Sequence, residues 1–173
     1  MRRSLLAIGV IASVSAGAAQ GKECRGVGFP EATRVDGATL RLNGLGLRLA
    51  TMLEVKVYVA ALYVTEPSSD PKAILASRSP YELILQFLRD VGADDVRRGW
   101  NEGFAKNAKA ELPTLRDRIA VLDGWMADMK SGERLTFTFR PGVGVRVDSA
   151  ARAGRGALLP RACARPVPPH PKD

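Results

Sequence analysis

Two side chains near the middle of the chain have the types and spacing for chemistry. Arg48 stands alone among leucines in Leu45-Gly46-Leu47-Arg48-Leu49, and Tyr58 follows in Val55-Lys56-Val57-Tyr58-Val59. A guanidinium stays charged at every physiological pH and offers a planar fork of donors that matches a carboxylate, while a phenol adds a neutral donor. In apolar surroundings such a cation is costly without an anion. The pair therefore suits holding a carboxylate, or stabilising an oxyanion that develops during a reaction. The competing reading is an internal ion pair of Arg48 with Glu54 or Asp90.

Other chemistry is thinly supplied. The one histidine, His170, lies in a proline-rich tail, so a Ser-His-Asp triad and a zinc site both lack their parts. No metal or other cofactor is expected. Cys24 and Cys163 are the two cysteines. An oxidising compartment permits a disulfide between them, and free or intermolecularly paired thiols fit the sequence as well.

The elements that must position Arg48 and Tyr58 are strands. Residues 55–64 alternate in a period of two and are rich in β-branched and aromatic types, which predicts a central strand with Tyr58 on one side. Upstream, 27–29 and 33–35 read as extended. Asp36-Gly37 marks a type I′ hairpin into residues 38–42. Asn43-Gly44-Leu45-Gly46 predicts a tight bend before the segment bearing Arg48, so that the two segments meet as neighbours in a meander.

Asp70-Pro71 is an N-cap and first-turn pair for a short helix through about Ser77. Residues 81–89 form another strand. From Ala93 to about Ala110 the period changes, with Val96, Trp100 and Phe104 on one stripe and acids in the first turn, which predicts an amphipathic helix. A second helix is expected from Pro113 to Met129, with Leu115, Ile119, Leu122, Met126 and Met129 on one face. Residues 134–140 then alternate as a strand with Leu135, Phe137 and Phe139 inward, and Pro141–Gly144 turn the chain into 145–147. Strands, two adjacent helices and a closing hairpin amount to an α+β domain, with helices on one face of an antiparallel sheet.

Length and composition fit one soluble globular domain, because 173 residues with 46% hydrophobic content can bury a core. Met1-Arg2-Arg3, an apolar stretch to Ser15 and small residues at 16–19 read as a secretory signal peptide over 1–19. That stretch is too short to span a bilayer, so no stable membrane anchor is expected after cleavage, and the location implied is periplasmic or secreted. The formal charge of +8 does not imply nucleic acid. Residues 20–148, the expected domain, hold 19 Lys and Arg against 17 Asp and Glu, a nearly neutral balance without the basic excess that phosphate tracking needs. The remaining positive charge sits at the two ends. Residues 149–173 are rich in Arg, Ala and Pro, have no aromatic and no period, and read as a disordered tail.

Several spaced motifs carry a resemblance to a known family. GVGFPEATRVDGATLRLNGLGLR, EVKVYVAALYV, LQFLRDVGADDVRRGWNEGF and GERLTFTFRPGVGV, together covering roughly residues 26–147, resemble the bacterial secreted branch of the chalcone isomerase-like family. The resemblance implies an open-faced β-sandwich, in which a large antiparallel sheet packs against a layer of helices with a ligand cleft between them. In the family's plant enzymes an arginine at the position of Arg48 stabilises the oxyanion of the cyclising chalcone. Fatty-acid-binding relatives are similar to this chain in having both an Arg and a Tyr at the positions of Arg48 and Tyr58, where the two hold a carboxylate. Asn107, in FAKN, falls where the enzymes have a cleft asparagine. A further tyrosine used by the enzymes has no counterpart, since tyrosines occur here only at 58, 63 and 81. Relatives also continue after the last hairpin with another strand and helix. Residues 149–173 do not match these, so the tail reads as frameshifted or truncated relative to the family.

The resemblance thus implies non-catalytic binding of a fatty acid or similar amphipathic carboxylate, with Arg48, Tyr58 and Asn107 around the ligand. The alternatives are an intramolecular lyase acting on a chalcone-like enone through Arg48, and a structural or partner-binding protein whose cleft is filled. The oligomeric state is not legible from the sequence.

Overall fold

The hairpin signal at Asp36-Gly37 has a direct physical outcome. Both residues adopt positive φ, 48° and 84°, as a type I′ turn requires, and they join β3 (Ala32–Val35) to β4 (Ala38–Ala50). The computed structural model describes residues 21–50 and 54–150. The expected signal peptide, most of the expected tail, Cys163 and His170 lie outside the described residues.

β4 corrects one expectation. The tight bend at Asn43–Gly46 does not form, and Gly44 and Gly46 are not among the positive-φ glycines. The strand continues to Ala50, with a break in register between Leu42 and Gly44. Asn43 is the extra residue of a bulge. Its side-chain oxygen accepts the Ser68 backbone N–H at 2.7 Å, which ties the bulge to the loop after β5 (Val55–Val64).

Asp70 caps α1 (Pro71–Ala76) as expected, its carboxylate accepting the Lys72 N–H at 2.9 Å. β6 (Tyr81–Phe87) follows, then α2 (Ala93–Asn107) with Asp94 and Asp95 in its first turn. α3 (Leu112–Trp125) stops four residues before the expected Met129. Met126 leaves the helix in extended conformation, and Met129 forms a bridge with Val91. Both methionines are buried, but from the connecting segment and not from the helical stripe. Arg97 holds this junction together: its guanidinium donates to the carbonyls of Asp123 at 2.9 Å and Met126 at 3.0 Å.

β7 (Arg134–Arg140) and β8 (Gly144–Ala150) close the described chain. β8 is longer than the expected 145–147 and includes Ser149 and Ala150, residues assigned above to the tail. The main sheet has six antiparallel strands in sequence order, β3-β4-β5-β6-β7-β8. A hairpin of β1 (Lys22–Cys24) and β2 (Val27–Phe29), of which only the second strand was expected, forms a separate two-stranded sheet. The ion pair of Asp36, at the β3–β4 turn, with Arg140 at the end of β7 spans 2.9 Å. Strands so far apart in the sheet order meet only if the sheet curls.

The two faces of the sheet carry two cores. On one, Leu40, Leu42, Val59, Ala61 and Tyr63 pack with Val27 and Phe29 of the small hairpin. On the other, Leu85, Phe87, Leu135, Phe137 and Val147 pack with Val96 of α2 and with Met126 and Met129. Trp100 meets Phe137 edge to face at 5.0 Å. The helical layer covers its face incompletely: α2 fully buries only Val96, and α3 buries no residue. Leu83, Trp100, Leu122 and Trp125 remain half-buried. This is the α+β domain with helices on one face of an antiparallel sheet that the pattern of elements predicts, and the open-faced sandwich that the family resemblance implies.

Candidate functional site

The Asn43 bulge decides where Arg48 points. Side chains alternate along a strand, and Leu40 and Leu42 face the small hairpin. Continuing that alternation would send Gly44, Gly46 and Arg48 to the same side. The extra residue inverts the phase: Leu42 stands opposite Tyr63, but Gly44 stands opposite Leu62, Gly46 opposite Ala60, and Arg48 opposite Tyr58. Arg48 therefore lies on the face that carries the helices. A second break between Arg48 and Leu49 makes Val57 an extra residue on β5, and Val57 packs into the helix-side core. The Arg48–Tyr58 pair is bracketed by two bulges.

Directly opposed residues on one face have adjacent side chains. Tyr58 is half-buried, and its ring meets Phe87 of β6 edge to face, with centroids 5.6 Å apart. Burial pushes its phenol pKa up, while the positive charge of Arg48 acts in the opposite direction. The phenol is therefore protonated and a donor throughout the physiological range. Arg48 is exposed. Among the described residues it belongs to no ion pair. The internal pairing considered above does not form with Glu54, and Asp90 is engaged by Lys130 at 3.1 Å and by the Ser131 N–H at 2.9 Å. A permanent cation and a neutral donor thus sit side by side at the edge of an apolar surface.

That surface runs along the sheet from the pair. Past Tyr58 and Phe87 it continues through Ala60 and Leu85, then Leu62 and Leu83, to Val64 and Tyr81 in the successive rows. Tyr81 stacks on Phe139 at 4.8 Å. Leu62, Leu83, Tyr81 and Phe139 are half-buried, so this strip stays partly open. On β4 the same rows are filled by Gly44 and Gly46, beside which an added Cβ would meet no atom within 4 Å. The arrangement offers an anion anchor at one end and an apolar track leading from it.

Asn107 does not join the pair. It is exposed at the end of α2, and its amide donates to the Gly103 carbonyl of its own helix at 2.8 Å. Two surface depressions lie elsewhere, one around Asn43, Ser68 and Ile74 and the other around Arg41, Thr65 and Glu66. Among the described residues no cluster of His, Cys, Asp and Glu could hold a metal ion, and no helix is long and apolar enough to cross a membrane. Cys24 is half-buried against the hairpin-side core. Sequence reasoning missed Asn43 and Val57. A bulge residue has no signature of its own, although the polar Asn43 between Leu42 and Gly44 was the visible irregularity.

A curled antiparallel sheet with helices on one face is the fold that carries this site. A family model described as chalcone isomerase-like matches residues 21–155, and the chain belongs to that family. A solved structure of a fatty-acid binding protein from Arabidopsis thaliana has the same fold, with a TM-score of 0.51 and 16% identity over 73% of this chain and 75% of that one. Comparison with curated proteins produced no match.

Proposed function

We propose that this protein binds a long-chain fatty acid or a similar amphipathic carboxylate without transforming it. Arg48 and Tyr58 receive the head group, and the tail lies along the strip between β4, β5 and β6 under the helices. The observation that carries this reading is the direct cross-strand opposition of Arg48 and Tyr58 on the helix-bearing face, with no described carboxylate paired to Arg48. A carboxylate would satisfy the guanidinium and accept from the protonated phenol at once. The name of the Arabidopsis neighbour, a fatty-acid binding protein, supports the same class of ligand. The amide of Asn107 donates to the Gly103 carbonyl within α2, and Arg48 and Tyr58 receive the head group without it.

The signal-peptide pattern of residues 1–19 supports action outside the cytoplasm, in the periplasm or beyond, as the bacterial secreted branch of the family would have it. Titration of delipidated protein with a long-chain fatty acid tests the reading. Saturable binding that Arg48→Ala weakens is expected, and no saturable binding by the wild type would sink it. Mass spectrometry of the lipids that copurify from the native compartment identifies the acid.

A further inference from the structure

β8 ends the sheet among the described residues, since β7 is its one described neighbour. An edge strand presents a row of unpaired N–H and C=O groups, which proteins usually shield by shortness, proline, lysine or a bulge. The opposite edge, β3, is four residues long. β8 has seven residues, no proline, no lysine and an unbroken register against β7 from Gly144 to Ala150. Among the described residues its outer side has no partner strand.

The side chains of this edge also choose a partner. Arg146 and Asp148 share one face and form an ion pair at 2.7 Å, each still more than a third exposed, while Val145 and Val147 face the helix-side core. When two copies of the strand pair antiparallel about a two-fold axis, one residue faces itself and the others cross. Centring on Arg146 opposes two guanidiniums, and centring on Asp148 opposes two carboxylates. Centring on Val147 places Arg146 of each copy opposite Asp148 of the other and sets the two Val147 side chains against each other on the helix-bearing face. Like charges directly opposed are unfavourable and unlike charges favourable, so only the Val147-centred register is self-complementary.

We propose that β8 pairs with β8 of a second copy of this chain, in antiparallel register centred on Val147, to give a two-fold dimer with one continuous twelve-stranded sheet. The pairing is isologous, and strand addition supplies its main-chain hydrogen bonds. It leaves the Arg48–Tyr58 pair on β4 and β5, away from the junction.

Sedimentation velocity on the full chain over a concentration series tests this with Arg146→Asp and Asp148→Arg. The wild type should form a concentration-dependent dimer, and each single reversal, which opposes four like charges at the junction, should remain monomeric. Mixing the two reversals in equal amounts should restore a dimer, because every crossing then joins unlike charges. That restoration also shows that both variants are folded, and an intrachain role for the ion pair would not produce it. A wild type monomeric throughout the series, reversals that dimerise as the wild type does, or a mixture that stays monomeric would overturn the proposal.

Discussion

Two tyrosines five residues apart on β5, facing opposite sides of the sheet, have opposite duties, and replacing each by phenylalanine should separate binding from stability. Tyr63 is wholly buried, and its hydroxyl donates to the Pro30 carbonyl at 2.8 Å. Tyr63→Phe leaves that acceptor without its partner, a loss of about 1–3 kcal/mol, which at about 3–6 °C per kcal/mol for a domain of this size lowers the melting midpoint by several degrees. Tyr58 is half-buried, and no described group is hydrogen-bonded to its hydroxyl. Tyr58→Phe therefore removes a partly desolvated hydroxyl without orphaning anything, and stability should stay within about 0.5 kcal/mol of the wild type. The cost falls on the ligand. A hydrogen bond to a charged group contributes about 1.5–3 kcal/mol. Partial exposure of Tyr58 brings this to about 1–2 kcal/mol, or roughly a 5- to 30-fold weaker Kd at 1.4 kcal/mol per factor of ten. Calorimetric melting and titration with a long-chain fatty acid read both quantities on the same samples. A Tyr58→Phe midpoint lowered as far as that of Tyr63→Phe, or binding weakened as much by Tyr63→Phe as by Tyr58→Phe, would refute this division of duties.

Three further predictions rest on the packing and the polar groups. The double substitution Arg48→Cys/Tyr58→Cys should form a cross-strand disulfide, because directly opposed strand residues lie within disulfide reach; deleting Asn43 should abolish it by restoring the strand phase, and a disulfide that persists in the deletion would contradict the bulge argument. Glu82 on β6 is held above the usual carboxylate range first by burial, against the opposing pull of the Thr138 and Thr33 hydroxyls and Arg146. A carboxyl whose folded pKa is raised costs stability when ionised, so stability is regained as pH falls through the folded pKa towards the ordinary value of 4.5. Glu82→Gln should accordingly melt higher than the wild type at neutral pH, with the gap closing on acidification; a gap that widens at low pH would refute this. Leu40 is fully buried beneath the small hairpin, and Leu40→Ala should cost about 2–5 kcal/mol in chemical denaturation, with a loss under about 1 kcal/mol counting against a tightly packed second core.

Much of the scaffold could be read from local signals, because local chemistry dictates it. Asp36-Gly37 needs positive φ, Asp70-Pro71 needs a helix start, and the Val96–Trp100–Phe104 stripe needs a packed face; each element forms where those residues stand. The failures occurred where tertiary contacts overrule local preference. Asn43-Gly44-Leu45-Gly46 could turn, but pairing with residues 60–62 and the Asn43–Ser68 bond keep it extended. The stripe ending in Met126 and Met129 could continue α3, but Arg97 captures the carbonyls at its end and Met129 pairs with Val91. For the candidate site, residue types alone singled out Arg48 and Tyr58. Their direct opposition could not be read, since it depends on two register shifts, one at Asn43, whose polarity alone does not specify a bulge, and one at Val57, which has no sequence mark. Asn107 could be singled out for its position in FAKN, and what the sequence could not convey was that its amide folds back onto Gly103.

Recognition of an ionised carboxylate by Arg48 and Tyr58, at the end of an apolar track, is the central claim. Isothermal titration of delipidated wild-type protein with a long-chain fatty acid and, separately, with its methyl ester addresses that claim most directly. Saturable binding of the acid is expected, with the ester weaker by about tenfold or more from loss of the charge-assisted bonds. Equal affinity for acid and ester, or no saturable binding of the acid, would contradict it.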